Sequence, residues 1–204
     1  MTSQERKAQA ERILYELGLY DCLAEIGKPH VIGSCRMDMM AWNDLDIDIE
    51  NTKMSKEKLY DLTAYILKTF SPMWYEAKEE VNSEGKTVWF HGFEAVINGQ
   101  LWNFDLWFFD HETIQKAEAY CDRIAQQARQ NPSSREAIIR IKEELIAREL
   151  YGFDKYASMD VYRAVLEQGI KTTDELLRRY VKQENRILRK GLRIAIRSPL
   201  TMQL

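Results

Sequence analysis

Cysteine is scarce in this sequence and follows no pairing pattern. The 204 residues contain three cysteines, Cys22, Cys35 and Cys121, and none of them forms a Cys-x-x-Cys pair. An odd number of widely spaced cysteines is typical of neither a disulfide framework nor a zinc site. We therefore expect reduced thiols and a cytoplasmic protein.

Long apolar runs, internal repeats and low-complexity segments are also missing. No apolar run approaches the ~18 residues that a membrane-spanning helix requires. The first residues, MTSQERKAQAER, are polar and charged, which is unlike a signal peptide. We therefore expect no membrane partner.

Charge of either sign is nearly balanced. The chain has 29 Lys and Arg against 32 Asp and Glu, so its net charge is -3. A mildly acidic chain is not typical of a general nucleic-acid binder, and nucleic acid is therefore an unlikely partner. The length suits one large domain or two small ones, and 45% apolar residues are enough for a substantial core.

The first half of the chain predicts helices mixed with strands. Apolar residues at helical spacing predict a helix over 4–26, which Gly27 ends, and Ser55 is a typical N-cap for a helix reaching about residue 70. Asn98-Gly99 is typical of a tight hairpin turn. Strands are predicted over 30–33, 44–50, 74–81, 86–97 and 101–109.

After Asp110 the sequence predicts only helices. They are expected over 111–130, from Ser133 to about 150, over 158–168 and from Thr172 onward, with capping boxes completed by Glu136 and Glu175. The predicted fold class is therefore α+β. A mixed sheet with flanking helices would occupy residues 1–110, and a C-terminal helical bundle would occupy residues 111–204.

One predicted strand carries three aspartates on a single face. Asp44, Asp46 and Asp48 alternate with Leu45, Ile47 and Ile49. Side chains two residues apart on a strand share a face and lie about 7 Å apart, so the carboxylates repel each other unless a cation lies between them. Mg²⁺ prefers such carboxylate ligands. The alternative is an acidic face exposed to solvent, and this strand alone does not distinguish the two.

Two other segments favour a metal and nucleotide site. Gly33 allows a sharp backbone turn beside a ligand, and Ser34 adds a hydroxyl and backbone N–H groups that suit a phosphate. Asp105 lies among aromatics in LWNFDLWFFD, where a lone carboxylate is costly unless it is paired or coordinated. If its strand neighbours the strand of Asp44, three carboxylates can hold two metal ions about 3.5–4 Å apart, as in phosphoryl and nucleotidyl transfer.

The combined pattern is Gly-Ser, nine residues, Asp-x-Asp, and a later aspartate on a strand. Over residues 30–110 it resembles the DNA polymerase β-type nucleotidyltransferase superfamily, which includes aminoglycoside and lincosamide nucleotidyltransferases. The resemblance implies a nucleotidyltransferase-like sheet, an NTP co-substrate and two Mg²⁺ ions. It also implies that the nucleotide binds at Gly33 and Ser34, and that the catalytic metal ligands are Asp44, Asp46 and Asp105.

The chain departs from that pattern in two places. Many relatives have a small residue and then Arg-Gly after the Gly-Ser, whereas this chain has Cys35-Arg36-Met37-Asp38. Arg36 is still a candidate to contact a triphosphate. Asp46 and Asp48 form a second Asp-x-Asp, and we prefer Asp44 and Asp46 because their spacing from Ser34 matches the family.

Several other residues are candidates for roles around this site. Glu94, in WFHGFEAVI, is a candidate general base for an acceptor hydroxyl, although a structural pairing is the commoner role for such a glutamate. Lys155, Tyr156 and Tyr162 are candidates to face a cleft. Basic residues over 178–197 suit either a phosphate or RNA patch or a solvated helix face, and the solvated face is favoured.

The function expected from these features is metal-dependent nucleotidyl transfer. An NMP, most simply AMP from ATP, would pass from the NTP to a hydroxyl of a small molecule, and an acidic protein suits a cationic acceptor better than a polynucleotide. The alternative is a nucleotide-binding or antitoxin-like module that acts on a protein or RNA partner. The intact carboxylate set favours the enzyme.

Overall fold

The computed structural model describes residues 1–81, 85–152 and 155–180. Its strands are β1 (Lys28–Val31), β2 (Asp44–Glu50), β3 (Trp74–Val81), β4 (Thr87–Ile97) and β5 (Gln100–Phe109). Its helices are α1 (Ser3–Tyr15), α2 (Leu19–Ala24), α3 (Gly33–Arg36), α4 (Lys56–Phe70), α5 (His111–Gln130), α6 (Pro132–Ala147) and α7 (Ser158–Leu166). Residues 173–180 are also helical.

The N-terminal segment forms two helices, so the prediction of one helix over 4–26 is wrong. Thr2 caps α1, its side chain accepting from the backbone N–H of Glu5 while the Glu5 side chain reaches back. Gly18 then adopts a left-handed φ of 81° between α1 and α2. A left-handed residue ends a helix, and glycine adopts that conformation without the steric cost of a Cβ.

The five strands form one mixed sheet in the order β1-β2-β5-β4-β3. The central pair, β2 and β5, is parallel, whereas the other neighbouring strands are antiparallel. Asn98 and Gly99 join β4 to β5 with φ values of 53° and 74°, the left-handed pair of a tight hairpin turn. The predicted mixed sheet and its hairpin are confirmed.

One face of the sheet forms the hydrophobic core. Leu45, Ile47 and Ile49 of β2 are fully buried together with apolar residues of α1, α2 and α4. Phe93 and Phe104 stack in this core with their ring centroids 4.2 Å apart. Because side chains alternate along a strand, burying this face puts the aspartates of β2 on the opposite face.

After Asp110 the described elements are helices, as predicted, with an isolated bridge between Tyr151 and Tyr156 in the loop before α7. Helix α6 begins one residue earlier than its predicted cap, with Pro132 in its first turn, where proline is favoured because no N–H is needed. The Ser133 hydroxyl instead donates to the side chain of Asn131 at 2.8 Å.

The chain divides into two compact units, Met1–Arg135 and the part from Glu136 onward. Helix α5 contacts α3 and β2, so it belongs with the first unit. The predicted functional division into 1–110 and 111–204 stays a prediction. Within the part of the chain that the structure describes, no helix combines the length and apolar character that crossing a membrane requires.

Candidate metal and nucleotide site

The sheet register brings the predicted metal ligands together. In the parallel β2–β5 pair Asp46 lies opposite Asp105, and Asp44 lies opposite Asn103. One carboxylate oxygen from each of Asp44, Asp46 and Asp105 lies within 4.8 Å of the other two. All three side chains are half-buried, so they can be reached from solvent while they remain close to each other.

Asp48, the third aspartate of β2, lies outside this group. Its side chain is only 2% exposed. Burial, followed by the negative charge of Glu118, raises the pKa of Asp48 to about 7. Among the described residues, the acidic cluster close enough to share a cation contains Asp44 and Asp46 but not Asp48.

Burial makes it energetically unfavourable for the aspartates of the cluster to be ionised together. Burial raises the pKa of the Asp105 carboxyl, and a hydrogen bond from Asn103 opposes this only in part. The Asn103 amide also donates to an oxygen of Asp44 at 2.8 Å. A bound cation would offset the cost of ionising these carboxylates together.

Gly33 opens α3 directly against the aspartates. Its φ is 62°, in the left-handed region, and a Cβ at this position would lie 2.0 Å from Oδ2 of Asp46. No other residue type fits without moving that carboxylate. The glycine therefore brings the backbone of α3 close to the cluster, which is the approach that a phosphate between them would require.

Ser34 has a buried hydroxyl that makes no hydrogen bond within the described part of the protein. The residue is 5% exposed, and its Oγ has no hydrogen-bond partner there. A buried unpaired hydroxyl is costly, and a phosphate oxygen would accept its hydrogen bond. The oxygen ligands, the glycine contact and the serine together fit a metal-bound nucleotide.

Arg36, the other predicted nucleotide contact, is engaged by α5. Its Nε and Nη2 donate to the two carboxylate oxygens of Asp122 at 2.8 and 3.0 Å. Its Nη1 donates to Glu118 at 2.9 Å. Arg36 thus ties α3 to α5, and its contact with a phosphate stays a prediction.

Arg135 helps to hold the segment that follows Gly33 and Ser34, a role that the sequence did not indicate. Its Nε and Nη2 donate to the backbone carbonyl of Asp38 at 3.0 and 2.6 Å. Asp38 follows α3 and has a left-handed φ of 58°. Arg135 therefore braces the exit of the turn that Gly33 opens, but a separation of 97 residues between the partners leaves no local signal in the sequence.

Glu94, on β4, projects from the same face of the sheet as the aspartates and lies two strands away from β2. It pairs across the sheet with Asn103, which pairs with Asp44, so the three side chains form one row. Glu94 is half-buried. Its role as a general base stays a prediction.

Lys155, Tyr156 and Tyr162, the candidates to face a cleft, have partners or are buried within the second unit. The Lys155 ammonium donates to the carbonyl of Glu149 at 2.8 Å, and the ring of Tyr156 packs edge-on against Tyr180 at 4.9 Å. Tyr162 is buried. The basic residues of the predicted C-terminal patch beyond residue 180 lie outside the described residues.

A mixed sheet with a Gly-Ser turn, two aspartates on one strand and a third on its parallel neighbour defines a nucleotidyltransferase fold. Neither a family model nor a curated protein matches the chain. Solved structures do match it. Cid1 poly(U) polymerase with Mg and 3′-dATP bound has a TM-score of 0.55 at 14% identity, over 81% of this chain and 50% of that one.

A cytoplasmic RNA terminal U-transferase is also similar, with a TM-score of 0.52 at 14% identity, over 79% of this chain and 47% of that one. The chain thus spans about half the length of these structures. The shared fold confirms the predicted α+β class and the predicted nucleotidyltransferase-like sheet with flanking helices.

The prediction that nucleic acid is an unlikely partner is wrong. The two similar structures are those of a poly(U) polymerase and an RNA terminal U-transferase, and both of these proteins act on RNA. The prediction failed because it was based on a net charge of -3 for the whole chain, and a net charge carries no information about how charges are distributed over a surface.

Proposed function

We propose that the protein is a metal-dependent nucleotidyltransferase that moves an NMP from an NTP to a terminal hydroxyl of RNA, with release of pyrophosphate. The observation that carries this proposal is the cluster of Asp44, Asp46 and Asp105, whose oxygens lie within 4.8 Å beside the cradle of Gly33. The likeness to polymerases and transferases of RNA supports RNA as the acceptor.

Each residue of the site has a distinct task in this reaction. The three aspartates would hold Mg²⁺, which when bound offsets negative charge on the phosphates and lowers the pKa of an attacking hydroxyl. The absent side chain of Gly33 would leave room for the phosphates beside Asp46. The Ser34 hydroxyl would donate to a phosphate oxygen, which would satisfy its unused hydrogen bond.

Asp105 and Glu94 would act on the acceptor side. Asp105 stands on β5, one strand farther from α3 than Asp46, so it would orient the attacking hydroxyl. Glu94, two strands from Asp44, would take the proton of that hydroxyl, either directly or through a water molecule. We also propose a cytoplasmic location, which the three free cysteines support.

A transfer assay tests the proposal. The protein is incubated with Mg²⁺ or Mn²⁺, each α-labelled NTP in turn, and a short single-stranded RNA. We expect label on the RNA, none on the same RNA with a 3′-deoxy end, and none with Asp46→Asn. Label on the protein or on no acceptor, with every NTP and both metals, would contradict the proposal.

A further inference from the structure

An exposed tryptophan lies on the aspartate face of the sheet, beside the carboxylate cluster. Trp74, the first residue of β3, pairs with Glu94, and Glu94 pairs with Asn103, the partner of Asp44. Residues directly opposite each other on neighbouring strands project from the same face. The Trp74 side chain is therefore on the same face as the aspartates, and 43% of the residue is exposed.

The indole of Trp74 leans toward the cluster. Gly92 of β4 lies directly opposite Asp105. A Cβ at Gly92 would lie 3.0 Å from Cη2 of Trp74 and 2.6 Å from Cζ of Phe90, so both rings cover this glycine. The ring edge of Trp74 therefore lies over the residue that is the direct cross-strand neighbour of Asp105.

Two more exposed apolar residues continue this surface. Val96 and Leu101 pair with each other next to the Glu94–Asn103 pair, and both are exposed. Glu94 is thus bordered by Trp74 on one side and by an apolar pair on another. A flat apolar surface with a carboxylate within it fits a planar ring that carries N–H donors.

The direction of nucleotidyl transfer indicates which ring would lie there. In an in-line displacement the attacking and leaving oxygens lie on opposite sides of the phosphorus. The leaving phosphates belong near Gly33, and α3 contacts β2. The attacking hydroxyl therefore belongs on the other side, toward β5 and β4, and the base attached to its ribose would extend toward the Trp74 ring that covers Gly92.

Charge favours a base at this position over a phosphate. Gly92, which the Trp74 ring covers, pairs with Glu76 on one side and with Asp105 on the other, and Glu94 lies opposite Trp74. Lys78 is on the same face, but it lies 3.4 Å from both Glu76 and Glu80, so two carboxylates offset its charge. Carboxylates repel a phosphodiester but accept hydrogen bonds from the N–H groups of an uncharged base. On this basis, which rests on the proposed function, we propose that Trp74 stacks on the 3′-terminal base of the acceptor RNA.

Binding of a non-reactive acceptor tests this proposal without turnover. The full chain is titrated into a 5′-fluorescent single-stranded RNA with a 3′-deoxy end, and affinity is read by anisotropy. We expect Trp74→Ala to weaken binding about 5- to 150-fold, the range for loss of one aromatic–base stack, and Trp74→Phe to retain most of the affinity. Tyr60→Ala, which removes an exposed aromatic on α4, is the matched control and should bind as the wild type does.

An RNA whose last nucleotide is abasic identifies the partner of the tryptophan. Wild type should lose about as much affinity for this RNA as Trp74→Ala loses for the intact RNA, and Trp74→Ala should lose nothing further. The proposal is overturned if wild type binds no RNA, if it binds both RNAs equally, or if Trp74→Ala weakens both equally. If wild type transfers label to RNA but Trp74→Ala keeps full affinity, this inference fails while the proposed function stands.

Discussion

At the scale of single residues, the contact between Gly33 and Asp46 explains the first half of the motif. Glycine is required at position 33 for two reasons. Its φ of 62° is left-handed, and a Cβ there would lie only 2.0 Å from Oδ2 of Asp46. The structure therefore places Gly-Ser in contact with Asp-x-Asp, whereas in the sequence the two motifs are related only by their spacing.

Gly33→Ala should abolish nucleotide binding. The new methyl group must displace the Asp46 carboxylate, and the left-handed backbone adds about 1–2 kcal/mol of strain. Gly99→Ala is the matched control, because Gly99 has a φ of 74° and nothing among the described residues within 4 Å of its Cβ position. Calorimetric titration with Mg²⁺ and a non-hydrolysable NTP should show binding by the control alone. Equal binding by both variants would remove Gly33 from the site.

The aspartate register gives a second prediction. Because Asp48 is buried and lies outside the cluster, Asp44→Asn should abolish transfer, whereas Asp48→Asn should retain much of it. Rates measured with saturating NTP and RNA separate the two variants. The opposite ranking would mean that the metal pair is Asp46 and Asp48.

His91 predicts how stability depends on pH. It is fully buried, and burial lowers its pKa to about 4. The folded state therefore resists protonation between pH 6.5 and 4 while the unfolded state accepts a proton, so stability is lost as pH falls through this window. The loss of stability contributed by His91 over this window is roughly 3 kcal/mol. The free energy of unfolding of His91→Gln should fall less steeply than that of the wild type, and parallel curves would contradict the prediction.

At the scale of elements, α5 holds the short α3 in place. Arg36 and Asp122 form a two-bond ion pair between these helices, and Arg135 holds Asp38, two residues after α3. A four-residue helix has little stability of its own, so its position depends on such contacts. This makes the position of Gly33 and Ser34 dependent on side chains far away in the sequence.

Asp122→Ala should therefore weaken nucleotide binding several-fold, although Asp122 is exposed and its loss should cost the fold less than about 1 kcal/mol. If Arg36 acts only by positioning α3, Arg36→Ala should weaken nucleotide binding no more than the double variant Asp122→Ala/Glu118→Ala, which removes both of its partners on α5. A much larger loss from Arg36→Ala than from that double variant would indicate that the guanidinium also contacts the triphosphate. Calorimetric titrations of the two single variants and the double variant measure this.

The elements that were predicted correctly are those with local signals. Strand β2 and helix α4 have the predicted bounds because alternation and the Ser55 cap act over a few residues. Gly18 was missed because the apolar spacing continues through it. The clustering of the three aspartates was predictable from strand parity and motif spacing. The burial of Asp48 beside β1 and Glu118, and the contact of Arg135 with Asp38, join residues far apart in the sequence and leave no local pattern.

At the scale of the whole molecule, charge is distributed unevenly. A net charge of -3 conceals an acidic sheet face in the first unit, whose carboxylates are Asp44, Asp46, Asp105, Glu76 and Glu94. This face suits cations and uncharged bases. Lys78 lies on the same face, but Glu76 and Glu80 offset its charge. Under the proposed function, this face would disfavour the phosphate backbone of RNA, so the RNA would approach the site with its end.

The central claim is that this acidic face holds a divalent cation together with a nucleotide. Calorimetric titration of a non-hydrolysable NTP into wild type and Asp46→Asn, with and without Mg²⁺, tests it most directly. Wild type should bind the nucleotide only with the metal, and Asp46→Asn should not bind it. The melting temperature of the metal-free variant should not fall, because removing one of three neighbouring negative charges relieves their repulsion. Binding by Asp46→Asn equal to that of the wild type would contradict the account.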